Sequence, residues 1–218
     1  MIDCLTVGPI GECCYLIPAG DEGRRIIVDP GDEAQRILAR IDEAGYTPVL
    51  VALTHGHLDH TAALPDLVKG LDERGFKDLP IAIHRDDASY LGPEGEGTNR
   101  AVFTAIRAMG FFKHYYERLP PATMLLSDGE SLPGSGWKVI HTPGHTQGSA
   151  CFYDEALGVL IAGDTLFRDG VGRTDGPDSD PALLADSLKD RLFVLPDTTI
   201  VYPGHGEATT IGRERAYM

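Results

Sequence analysis

The segment His55-Gly56-His57-Leu58-Asp59-His60, directly after the apolar run Val49 to Leu53, places four side chains able to bind a metal within six residues. A structural zinc site closes its tetrahedron with four ligands, often cysteines, whereas a catalytic site uses His and carboxylate and leaves a position open. This segment has no Cys. Its spacing cannot put all four side chains on one face of an ideal helix or strand. A loop at the end of a strand, wrapped around an ion, is therefore expected.

Working outward, the same local pattern recurs three times. His145 lies in His141-Thr-Pro-Gly-His145 after the strand-like Trp137–Ile140, and Pro143-Gly144 signals a turn. Asp164 follows Leu160-Ile-Ala-Gly163, and His205 follows Tyr202-Pro-Gly204. Each time an apolar strand runs into a Gly-containing turn that presents one ligand. The set is then His55, His57, Asp59, His60, His145, Asp164 and His205. Seven ligands exceed what one tetrahedral ion takes and suit two ions sharing a carboxylate. His84, His114 and His141 stand apart and read as ordinary histidines.

This ordered set resembles the metallo-β-lactamase superfamily, whose pattern is HxHxDH followed by separate His, Asp and His ligands; the match spans residues 55 to 205. The resemblance implies an α/β fold, a four-layer αβ/βα sandwich of two mixed sheets flanked by helices, with the site at one edge. It implies one ion on His55, His57 and His145, a second on Asp59, His60 and His205, and Asp164 between them. Zinc is the expected metal, with iron and manganese as alternatives.

Composition sets the wider frame. At 218 residues the chain fits one domain, residues 1–218, able to bury a core. Its hydrophobic fraction of 42% and charged fraction of 24% are those of a globular protein, and its apolar runs are too short to span a bilayer. The N-terminus lacks the basic n-region of a signal peptide, so a cytoplasmic location and no membrane partner are expected. A formal net charge of −14 without any Lys/Arg run argues against a nucleic-acid partner. Oligomeric state is open. Cys4, Cys13, Cys14 and Cys151 lack metal-ligand spacing and read as buried or partly buried thiols, with Cys13 and Cys14 on opposite faces of a strand.

Along the chain, Leu5–Val7, Cys14–Ile17 and Arg25–Val28 form an opening meander. Asp32–Glu43 has a helical apolar face, with Gly45 as its stop. Pro48–Leu53 is a strand buried on both sides. Thr61–Arg74 is a helix and Leu79–Ile83 a strand. The second half, from Met124, offers strands at Ser131–Leu132, Trp137–Ile140, Ala150–Tyr153, Val159–Ala162 and Thr199–Tyr202. Leu183–Leu192 is a helix begun by Ser179-Asp-Pro181. Residues 85–121 are the least regular part, with a flexible loop at Gly92–Gly97 and one helix over Arg100–Tyr116. The aromatic side chains of that helix either wall a substrate pocket or pack a core.

Two bound divalent ions would acidify a shared water and polarise the electrophile's oxygen, so a metal-dependent hydrolase using a metal-bound hydroxide is expected. No Gly-x-Ser-x-Gly elbow competes. Asp59 is the catalytic candidate, a ligand that can also hydrogen-bond the attacking hydroxide. Asp29 is either a carboxylate accepting the free N–H of a ligand His or a turn residue. Arg173 either contacts substrate or, beside Asp175, braces the loop that delivers Asp164.

The finer resemblance is to glyoxalase II and its short relatives. Gly163-Asp-Thr-Leu-Phe167, Gly172-Arg-Thr-Asp175 and Tyr202-Pro-Gly-His-Gly206 carry it. It implies a small-molecule thioester substrate such as S-lactoylglutathione. β-Lactamases of the commonest class have Cys where this chain has Asp164. Persulfide dioxygenases, mononuclear iron enzymes, share the Gly-Arg-Thr-Asp segment and are the alternative, together with lactonases and phosphodiesterases. Cys13 stands where the glyoxalase II family has Asn.

Overall fold

The computed structural model of the chain describes residues 2–217. Three strands open the fold as an antiparallel meander, β1 (Asp3–Val7), β2 (Glu12–Pro18) and β3 (Arg24–Val28). Helix α1 (Ala34–Ala44) then returns the chain to β4 (Thr47–Ala52), parallel to β3. A short helix α2 (Leu58–Thr61) and α3 (Leu64–Glu73) lead to β5 (Ile81–His84), parallel to β4. Helices α4 (Gly95–Ala105) and α5 (Met109–Tyr115) precede β6 (Met124–Leu126), which completes a six-stranded sheet in the order β1-β2-β3-β4-β5-β6.

The second sheet uses β7 (Lys138–His141), β8 (Ala150–Asp154), β9 (Val159–Gly163), β12 (Ile200–Pro203) and β13 (Thr209–Thr210), in the order β13-β12-β9-β8-β7. Between β9 and β12 lie a small hairpin, β10 (Leu166–Phe167) with β11 (Gly170–Val171), and helix α6 (Pro181–Ser187). Helix α7 (Ile211–Tyr217) follows β13.

Alternation of side chains along each strand builds four layers. Tyr15, Ile17, Ile26, Val28 and Leu50 point inward and meet Trp137, Val139, Phe152 and Ile161 of the second sheet in one buried cluster. Their neighbours Leu16, Ile27, Val51 and Leu53 face outward onto Ile37, Leu38 and Ile41 of α1 and Leu64, Leu67 and Leu71 of α3. On the far side, Cys151, Tyr153 and Leu160 pack against Leu184 of α6 and Ile211 of α7. This αβ/βα sandwich is the expected architecture. Each fully buried Leu or Ile of α1 contributes about 2 kcal/mol of burial energy, which fixes α1 on the sheet despite its short length.

Helix ends follow local chemistry. Asp180 caps α6 by accepting from the Ala182 and Leu183 amides, with Pro181 in the first turn. Gly45, at φ 64°, ends α1 as expected. The helix expected over Leu183–Leu192 starts two residues earlier and finishes as a π turn over Leu188–Leu192.

Four expectations need correction. Ser131–Leu132 is not a strand, only an isolated bridge from Ser131 to Lys138. Gly92–Gly97 is not a loose loop: Gly92–Glu94 is a 3-10 turn and Gly95 already belongs to α4. The single helix expected over Arg100–Tyr116 is two helices. Arg107, at φ 59°, breaks it, and the Arg107 and Ala108 amides return to Thr104 O and Phe103 O, a closure usually marked by glycine. Cys4 is exposed, whereas Cys13, Cys14 and Cys151 are buried, with Cys14 and Cys13 in different clusters on the two faces of β2. No described helix is long and apolar enough to cross a membrane.

Candidate metal centre

Strand ends assemble the centre. Strand β4 stops at Ala52, and Leu53 and Thr54 carry the chain to His55. The expected ligand loop extends only through His57, because Leu58–Thr61 turns into α2 and carries Asp59 and His60 on that helix. Leu58, between His57 and Asp59, is fully buried and anchors the turn in the core. His145 comes from the β7–β8 turn, Asp164 follows β9, and His205 follows β12.

All seven sequence-predicted positions come together. His55, His57 and His145 each bring one nitrogen within 4.8 Å of the others, and Asp59, His60 and His205 do the same with one carboxylate oxygen and two nitrogens. Asp164 lies between these groups, Oδ1 being 3.4 Å from His60 Nε2 and Oδ2 being 3.6 Å from His145 Nε2 and 3.7 Å from His205 Nε2. Gly204 makes room for it: a side-chain carbon there would overlap Asp164 Oδ1 and crowd the His60 ring.

The outward nitrogens are held by acceptors. His145 Nδ1 donates to the Arg173 carbonyl at 2.8 Å, and His60 Nδ1 faces Asp29 Oδ2 at 3.1 Å. Carbonyls and carboxylates only accept, so these nitrogens carry a proton, and Nε2 is the nitrogen left to bind a cation once it has none. Asp29 also accepts from the Thr54 amide at 2.7 Å and the Thr54 hydroxyl at 2.6 Å. Asp29 therefore supports the candidate ligand His60; it stands in the turn after β3 at φ 48°, but its carboxylate reaches Thr54, 25 residues on, and no Asx-type bond closes that turn among the described residues. Arg173 braces His145 through its backbone, while its side chain pairs with Asp175 at 2.9 and 2.7 Å.

Inward, Nε2 of His55 and His60 and Oδ1 of Asp164 are buried without any hydrogen-bond partner among the described residues, and His57 turns Nδ1 toward His145 Nε2 at 2.9 Å. Leaving a buried polar atom unpaired costs about 1–3 kcal/mol, so lone pairs gathered in this way are matched to cations. The His/Asp groups suit divalent metal ions. Ionisation in the ion-free centre is polarised accordingly. Burial and neighbouring imidazoles hold His55 well below the usual histidine range and bring His57 down to about 3. Burial acts the same way on His60 and His205, but the carboxylates of Asp164 and Asp59 outweigh it and raise both. In turn, burial raises Asp59 and Asp164, while the facing His60 charge prevails and lowers both.

Several supporting residues escaped sequence reading. Asp87, in the turn after β5, is fully buried and accepts from the amides of Gly56 at 2.9 Å and Gly148 at 2.6 Å and from the Thr146 hydroxyl at 2.7 Å. It ties the His55–His57 loop to the His145 turn. Burial raises its carboxyl to about 6 against the pull of those donors. The signal was its place: Asp29, His55 and Asp87 follow the ends of three successive parallel strands. Tyr90 packs its ring against His57 and bonds Asp178. Glu12 is 1% exposed, with Oε1 3.7 Å from His60 Nδ1, and burial keeps its carboxyl well above the usual range. The neighbouring Cys13 amide and the Tyr15 hydroxyl bond Gly204 O at 2.8 Å and Pro203 O at 2.6 Å, so β2 braces the His205 turn.

The remaining histidines lie elsewhere. His84 and His141 stack at 3.9 Å, with His141 Nε2 on Gln147 O, and His114 is exposed on α5. Above the centre opens a cleft of about 470 Å³, reached by five of the seven, His57, Asp59, His145, Asp164 and His205.

Comparison with known proteins agrees with this geometry. The family model described as "Metallo-beta-lactamase superfamily" matches residues 7–205. Hydroxyacylglutathione hydrolase GloC of Haemophilus influenzae is 33% identical, over 98% of this chain and 94% of its own. The crystal structure of TTHA1623 in a di-iron-bound form superposes with a TM-score of 0.82 at 39% identity, covering 98% of this chain and 96% of the other. BLEG-1 B3 metallo-beta-lactamase does so with a TM-score of 0.83 at 32% identity, covering 99% and 97%. The chain thus belongs to the metallo-beta-lactamase superfamily and is a metallo-hydrolase of that superfamily.

Proposed function

We propose that the protein hydrolyses thioesters, in the manner of the short glyoxalase II relatives, with two divalent ions at the centre. His55, His57 and His145 would hold one ion, Asp59, His60 and His205 the other, and Asp164 both. Zinc is the first expectation. The di-iron form of TTHA1623 supports a paired centre and makes iron a direct alternative. The observation that carries the reading is the convergence of buried, unpartnered imidazole nitrogens and a carboxylate oxygen beneath an open cleft.

Bound divalent ions supply an acidified water and a Lewis acid for the substrate's carbonyl oxygen. The chain's own part is orientation and proton handling. Asp59 reaches the cleft with Oδ2 3.3 Å from His205 Nε2, ionised by its neighbours and able to accept a hydrogen bond from the attacking water. No Ser, Thr, Cys or Lys side chain lines the cleft among the described residues, so nothing there competes as a covalent nucleophile. A thiolate also leaves without a strong general acid, and beyond the seven the cleft holds only Arg173, Asp175 and apolar groups.

The resemblance to GloC supports S-lactoylglutathione as the reference substrate. The test is thiol release by protein loaded in turn with zinc, iron and manganese, beside a β-lactam, an acyl-homoserine lactone and a phosphodiester. Thioester cleavage should exceed the other three by at least tenfold with one of the metals. A lactam, lactone or phosphodiester cleaved faster than every thioester would overturn it.

A further inference from the structure

One side of the cleft is built from α4, α5 and the bend between them, where Val102, Phe103, Ile106 and Phe111 reach the lining; Ile10 of the β1–β2 turn and Phe167 of β10 extend the apolar surface. Phe103 and Phe111 stack at 5.6 Å, and Phe167 sets its ring edgewise to His205 at 6.2 Å. The apolar surface therefore runs up to the reacting centre. Beyond the five centre residues, the only charged lining side chains are Arg173 and Asp175, and they hold each other bidentately. The one guanidinium of the lining among the described residues is thus neutralised by its neighbour, and no Ser, Thr, Asn, Gln or Tyr side chain lines the cleft to recognise a hydroxyl.

We infer that this site selects an uncharged, apolar acyl group, a chain of several methylenes or a branched or aromatic acyl, over a hydroxylated or anionic one. The inference rests on the thioesterase reading for the bond cleaved but on the cleft alone for the group bound. Two physical points lead to it. Sites that select a hydroxyl do so with buried polar groups that would otherwise go unpaired, and this lining has none to spare. Ile10, 54% exposed, carries the apolar lining out to the solvent edge of the cleft, so an apolar acyl group would meet aliphatic and aromatic carbon from the edge to the centre.

The test uses thioesters of one neutral thiol, N-acetylcysteamine, carrying acetyl, propionyl, lactoyl, butyryl and hexanoyl groups, on the metal-loaded enzyme. It is paired with calorimetric binding of the corresponding free carboxylates. Specificity, kcat/KM, should climb roughly tenfold for every two methylenes buried, and propionyl should exceed lactoyl. Carboxylate affinity should follow the same order. Ile10→Ser, at a site too exposed to unfold the protein, and Phe111→Ala should each shrink the hexanoyl-to-acetyl ratio at least threefold. A flat series, a tenfold preference for lactoyl over propionyl, or a ratio unchanged in both variants would overturn the inference while leaving thioester hydrolysis standing. Carboxylates that bind in order of chain length while no thioester is cleaved would uphold the cleft's selectivity and remove the thioesterase reading.

Discussion

Asp164 and His205 look alike in sequence, each presented by a glycine turn after a strand, but their surroundings separate them. Asp164 stands between both groups of candidate ligands, and His205 belongs to one. Asp164→Ala should therefore lower occupancy of both ions, whereas His205→Ala should leave about one ion per chain, as read by elemental analysis after gel filtration. Asp87 acts at one remove. In Asp87→Asn the amide NH2 must face either the Gly148 or the Gly56 N–H, leaving a buried donor unpaired at a cost of about 1–3 kcal/mol. Because Asp87 joins two ligand-bearing loops, metal affinity should fall roughly tenfold as well. Urea unfolding and a metal-competition titration measure the two effects; full affinity in a correctly folded variant would show that Asp87 does not position the loops.

The hairpin of α4 and α5 shows how an element can be misread while its residues are understood. Helical periodicity continues through Arg107, and no glycine or proline stands at the turn itself, Gly110 lying three residues on, yet the chain turns there in the left-handed region. The Ala108 to Phe103 closure goes with it, and it lets Phe111 stack on Phe103 at 5.6 Å, two rings that a straight helix would hold about 12 Å apart. An exposed non-glycine residue in that conformation is strained by about 1 kcal/mol. Arg107→Gly should raise the melting temperature by a few degrees and Arg107→Val should lower it, measured by thermal denaturation of the metal-loaded protein. Two melting temperatures equal to that of the parent would mean that the turn carries no such strain.

For the whole molecule, the centre is a cross-link. Its groups come from residues 55 to 205 and from the ends of strands in both sheets, so an ion that binds only the folded chain stabilises the entire sandwich. Exhaustive chelation should lower the melting temperature by several degrees, and adding back the metal should restore it.

Acidity follows with a definite sign. Asp164 and Asp59 hold His60 and His205 above the ordinary histidine value, so the ion-free centre keeps protons near neutrality that an incoming cation must displace. His55 and His57 are already neutral there. Metal affinity should accordingly rise with pH from 6 to 8, about tenfold per unit for each proton released, in competition titrations. A pH-independent affinity would contradict the assignment of His60 and His205 as ligands.

The sequence by itself picked out the seven candidate ligand positions and the strand-and-turn rhythm that presents them, because metal ligation and alternation of buried residues both depend on short, regular spacing; the four-layer class followed from the resemblance to a known superfamily that those positions carry. Cys13 and Cys14 could be assigned to opposite faces of β2 for that reason alone. Only the tertiary structure decided that Asp87 joins two ligand loops, that Glu12 lies unpaired beneath His60, that α2 carries Asp59 and His60, and that Arg107 bends a helix into the wall of a cleft. The roles of Asp87 and Glu12 depend on groups distant in sequence, 31 and 61 residues apart in the case of Asp87 with Gly56 and Gly148. Their energies come from burial and from donors and acceptors that meet only once the two sheets have closed on each other.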